Sequence, residues 1–105
     1  MAYKWPDKDK DELVDYSVDW SRFIDKDTIA SVLWYIKDAA GVKTLVIDSD
    51  LVDGLQFVTG TLVDKVTTAR FSLGTSNKRY TVICGITTGN GLVYERSIFL
   101  RIREK

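Results

Sequence analysis

Apolar and polar positions along this chain alternate with the two-residue period of a strand that buries one face. Val14, Tyr16, Val18 and Trp20 alternate with Asp15, Ser17 and Asp19, which predicts a first strand from about residue 13. Ser21 to Asp27 is polar apart from Phe23 and Ile24, and with Asp25 and Asp27 it reads as a loop. Residues 28 to 41 fit two templates. Ile29, Val32, Leu33 and Ile36 lie on a helical face, with Asp27 as N-cap and Gly41 past the end. The same stretch, TIASVLWYI, is rich in β-branched and aromatic residues and is followed across Asp38 to Gly41 by VKTLVID. The hairpin is the favoured of the two. Gly54 then breaks the chain, LQFVTGTLV reads as a strand with Gly60 at a bulge or bend, and Ala69, Phe71 and Leu73 alternate with Thr68, Arg70 and Ser72.

The C-terminal third carries the clearest signal. Tyr80, Val82, Cys84 and Ile86 share one face of a strand, and Ile98, Leu100 and Ile102 share one face of the next. Between them, Thr87-Thr88-Gly89-Asn90-Gly91 supplies residues that tolerate positive φ in a tight reversal. Strands in such number, punctuated by turns, predict an all-β fold: an immunoglobulin-like antiparallel β-sandwich of about seven strands. Tyr80, two residues before Val82, matches a tyrosine corner or else simply fills core space.

Residues 1 to 12 follow no strand period. Tyr3 and Trp5 precede Pro6, the only proline, and a run of alternating charges from Asp7 to Glu12. This predicts an extended N-terminal arm, with residues 13 to 105 as a single sandwich domain. Trp20 and Trp34 are expected in the core, whereas Trp5 either staples the arm to the sandwich or docks on a neighbour. Tyr3, Trp5 and Pro6 are therefore the candidate interface residues.

Composition removes much chemistry. The chain has 105 residues, no histidine, one cysteine, and 15 basic against 15 acidic residues. One domain is expected, with no basic field for nucleic acid or anionic membranes. Without histidine, Ser-His-Asp and Cys-His catalysis are excluded. Cys84, between Ile83 and Gly85, reads as a buried small hydrophobe. No apolar run has the length of a signal peptide or membrane span, so synthesis in the cytoplasm without export is expected.

Acidic clusters complete no site. Asp7, Asp9 and Asp11 match the first ligands of a calcium loop, but Glu12 stands where glycine is required and Val18 where a bidentate glutamate is required. Asp48, Asp50 and Asp53 suit a solvated loop as well as a metal. Glycoside hydrolysis needs two acids across a cleft, and the acids here lie in polar runs or alternate outward. The expectation is no enzyme, no catalytic or metal residues and no cofactor. Residues 1 to 50 hold 11 acidic and 7 basic residues, and residues 51 to 105 hold 4 and 8. Such polarity either pairs neighbouring copies into a ring or cancels when the halves interleave.

Several short motifs occur in a characteristic order: Trp5-Pro6, Asp15-Tyr16, Asp19-Trp20, Asp27-Thr28-Ile29 and Trp34, then ARFSLGTSNKRYTVICGITTGNGLVYERSIFLRIRE. In this the chain resembles the phage fibre-tail adaptor proteins, small virion proteins of tailed phages and prophages. The likeness spans almost the whole chain and departs from Leu73 to Asn77 and from Asp38 to Asp64. It implies strands at residues 28 to 36 and a virion structural protein, tail-associated, that binds other phage virion and tail proteins and performs no chemistry. It also implies a homo-oligomeric ring as a possible state in the particle, and no nucleic-acid or membrane partner. The competing reading is a β-sandwich module that binds glycans through Tyr3, Trp5 and Tyr94.

Overall fold

A computed structural model describes residues 3–24, 26–38 and 40–103, with only the backbone described for Tyr3. Its strands are β1 (Tyr3–Lys4), β2 (Lys8–Asp9), β3 (Val14–Asp19), β4 (Ile29–Lys37), β5 (Lys43–Val46), β6 (Asp50–Val52), β7 (Leu55–Val63), β8 (Val66–Leu73), β9 (Arg79–Thr88) and β10 (Val93–Arg103). One helical turn, α1 (Ser21–Ile24), follows β3. The strands form two sheets packed as a sandwich. One has the order β1-β10-β9-β4-β5, with β2 also on β10, and the other has the order β3-β8-β7-β6. All pairings are antiparallel except those of β1 and β2 with β10.

The alternation predicts the core well. Tyr80, Val82, Cys84 and Ile86 from β9 and Ile98, Leu100 and Ile102 from β10 are buried, facing Tyr16, Ala69 and Phe71 of the other sheet. Residues 29 to 37 are strand, as the β-branched composition favours: Trp34 to Lys37 pair with Val46 to Lys43 in the expected hairpin. Tyr80 does more than fill space. Its hydroxyl accepts the Thr75 N–H at 3.0 Å, five residues upstream, as a tyrosine corner does, and donates to the Asp53 carbonyl at 2.6 Å.

Three local expectations are corrected. The polar stretch after Trp20 is not all loop: Asp19 Oδ1 accepts the Ser21 N–H at 2.9 Å and so caps one helical turn. The bulge in β7 lies between Phe57 and Thr59, not at Gly60. Gly60 instead makes room for an indole, since a Cβ there would stand 2.9 Å from Trp34 Nε1. The break at Gly54 is the turn of a hairpin: Asp53 and Gly54 have φ of 49° and 89°, and they join β6 to β7.

The opposite charges of the two halves interleave. Asp15 holds Arg70 at 2.7 Å, Asp7 holds Arg103 at 2.8 Å, and Lys43 pairs with Glu95. Each sheet contains strands from both halves of the sequence.

Candidate interface

The N-terminal segment lies along its own sandwich. Tyr3 and Lys4 pair in parallel with Ile98 and Phe99, and Lys8 and Asp9 pair with Ile102 and Arg103. Between these pairings Trp5 turns inward and is 7% exposed. Its ring stacks on Tyr16 with centroids 4.9 Å apart and the planes 13° from parallel, and its Nε1–H donates to the Ser17 carbonyl at 3.1 Å. Tyr16 closes the loop from the other side, its hydroxyl donating to the Pro6 carbonyl at 2.8 Å. Burial pushes the Tyr16 phenol up to about 12, so it remains a donor throughout the neutral range.

Of the candidate interface residues, Trp5 is thus a core residue of its own chain, Pro6 is exposed, and the Tyr3 side chain lies outside the described residues. Lys8, which the sequence presents as one charge in a solvated run, is fully buried. Its ammonium donates to the carbonyls of Asp9 at 2.7 Å and Leu73 at 2.8 Å. Leu73 takes φ of 62° and Gly74 takes 113° at that turn. Desolvation lowers the Lys8 pKa, opposed by the nearby charges of Glu12, Asp9 and Asp11. No pattern in the sequence singles this lysine out, because its neighbours on both sides are charged.

The acids have separate structural duties. Asp9 Oδ1 accepts the Asp11 N–H at 2.9 Å, and Glu12 Oε1 accepts the Asp9 N–H at 2.8 Å. Asp50 Oδ2 accepts the Ile47 N–H at 2.9 Å, whereas Asp53 faces Lys78 at 3.3 Å. Among the described residues no three acids, cysteines or histidines gather as metal ligands. Cys84 is buried beside Thr67, 3.3 Å away, and burial pushes its thiol up to about 11. A thiol held protonated in this way is a poor nucleophile at neutral pH. Tyr94, one of the aromatics considered for sugars, packs edge-on against Phe23 with centroids 4.5 Å apart. Among the described residues no helix is long and apolar enough to cross a membrane.

What the geometry offers is therefore surface and edges, and comparison with known families says to what end. Residues 8–101 match the family described as Podophage GP4 fiber-tail adaptor protein gp77. The chain belongs to this family. The match to the fiber-tail adaptor family spans the segments 38 to 64 and 73 to 77, where the short motifs depart, and it begins after Trp5-Pro6. Membership assigns a structural role in the phage tail. No curated protein matches the chain.

Proposed function

We propose that the protein is a non-enzymatic adaptor of the phage tail, incorporated in the virion, that works by binding other virion proteins during assembly. The family match over residues 8–101 carries this reading. The fold supports it: a small sandwich held by a continuous apolar core presents strand edges and loops in fixed positions, which suits recognition by shape and backbone pairing. The acids engaged in turns and ion pairs and the protonated buried thiol favour no reaction. The N-terminal segment, tied down by Trp5 and Lys8, presents the exposed Pro6 as a contact, and a ring of copies is the assembly such an adaptor would form at a tail.

The test is complementation. Particles assembled without this protein should lack the tail component that it joins, and purified protein added to them should restore that component and infectivity. Particles that are complete and infectious without it would contradict the reading.

A further inference from the structure

The outer face of the β1-β10-β9-β4-β5 sheet gathers cations that the chain itself does not neutralise. Leu100 of β10, Val82 of β9, Ile36 of β4 and Val46 of β5 are buried in the core. Successive side chains of a strand alternate between faces, so Phe99, Arg101, Arg79, Thr81, Lys37 and Lys43 point outward. Lys4, opposite Phe99, joins them, because Trp5 beside it turns inward.

The register sets these side chains in two rows. Lys4, Phe99 and Thr81 lie side by side on β1, β10 and β9. The row continues to Lys37, which comes next to Thr81 because Ile36 stands opposite Val82, and ends at Lys43, opposite Lys37. At about 4.8 Å between strands it spans about 19 Å. Arg79 and Arg101 face each other about 7 Å further along their strands.

Two cross-strand pairs here carry like charges, Lys37 with Lys43 and Arg79 with Arg101. Like charges directly opposite each other in a sheet are destabilising. Counter-ions within the chain are few. Glu95 pairs with Lys43, and Asp7 stands 3.9 Å from Lys4 while it holds Arg103 at 2.8 Å. Among the described residues Lys37, Arg79 and Arg101 have no acidic partner, and all three are exposed. A chain of formal charge zero thus concentrates positive charge on one sheet face.

We infer that this band binds an acidic surface of a different virion protein, whose carboxylates lie over Lys37, Arg79 and Arg101. Charge complementarity selects the occupant. A second copy has no matching face to offer. The described acids whose carboxylates lack a hydrogen bond or ion pair, Asp11, Asp48 and Asp64, lie on three separate turns. A nucleic acid is disfavoured because the rings nearest the band are already covered by its own cations, Phe99 by Arg79 at 4.4 Å and Tyr35 by Lys43 at 4.2 Å. Neither ring is free for a base to stack on. The inference rests on the adaptor reading only for the source of the partner.

Zero-length carbodiimide coupling of purified particles tests it. The reagent joins a lysine amine to a carboxylate in direct contact, with loss of water, and mass spectrometry of the linked peptides identifies both ends. The Lys43–Glu95 pair within the chain is the internal control. Lys37, with no acidic partner of its own, should be joined to an aspartate or glutamate of a different virion protein. The double variant Lys37→Glu with Arg101→Glu turns both like-charged pairs into opposite-charged ones. Its thermal midpoint should hold or rise while its incorporation into particles falls at least about tenfold. A role confined to folding would move the two readouts together. Lys37 joined only to this same sequence, or left unjoined while the control link forms, as a phosphate partner would leave it, would overturn the inference. Full incorporation of the double variant would do the same. Those outcomes leave the adaptor reading intact, whereas particles that lack the protein altogether would overturn that reading and this inference with it.

Discussion

The Tyr80 hydroxyl donates to the carbonyl of Asp53 at 2.6 Å, and so ties the start of β9 in one sheet to the β6–β7 turn of the other. The same oxygen accepts the Thr75 N–H at 3.0 Å, so one side chain fixes two turns at this end of the sandwich. Tyr80→Phe keeps the ring and leaves both backbone groups without their partner. It should cost about 1–3 kcal/mol, the range for an orphaned buried polar group, read as a lower urea midpoint with unchanged m-value.

Trp5 fills the space between Tyr16, Phe71 and Trp34. Trp5→Ala should therefore destabilise the fold by about 3–5 kcal/mol, as large-to-small core changes do. Trp5→Phe retains most of the stacking but loses the bond to Ser17, and should cost about 1 kcal/mol of hydrogen bonding plus a smaller cavity term. Chemical denaturation of the two variants separates the contributions. Truncation of residues 1 to 12 removes Trp5 and Lys8 together and is expected to lower stability by more than either single change.

Lys8 is a buried cation on two carbonyls, and its pKa is lowered in the folded protein, chiefly by desolvation. Between the folded value and 10.5, the unfolded chain binds more protons than the folded one, so this group makes stability rise with pH across that window. Lys8→Met should abolish that rise and, at neutral pH, cost about 1–3 kcal/mol for the unpaired carbonyls. Tyr16 has the opposite sign. Its folded pKa of about 12 lies above the ordinary value of 10.0, so its contribution is lost between those values. Denaturation at a series of alkaline pH values, repeated in Tyr16→Phe, distinguishes the two.

At low pH three carboxylates act together. The bond from Arg70 lowers the Asp15 pKa, the Ser21 backbone N–H that of Asp19, and Thr88 followed by the Thr28 N–H that of Asp27. Each folded value is below the ordinary 3.8, so their contributions are present above it and fade as pH falls through the folded values. Thermal midpoints should drop below about pH 4, and less steeply in Asp15→Asn. An unchanged slope would mean that the pairing with Arg70 contributes nothing.

The sandwich was legible because burial on one face imposes a period that survives in β3, β8, β9 and β10. β6 was hidden by its length: Asp50–Val52 is too short to show alternation, although Asp53-Gly54 beside it is a strong hairpin signal. Trp5 and Lys8 were hard to place for another reason. Their partners, Ser17 and Leu73, lie 12 and 65 residues away, and the parallel pairing with β10 is a tertiary fact with no local signature.

The most direct measurement is cryo-electron microscopy of purified particles. The account predicts density for this sandwich within the tail, in contact with at least one different virion protein. Particles whose tails are fully accounted for without it would contradict the central claim.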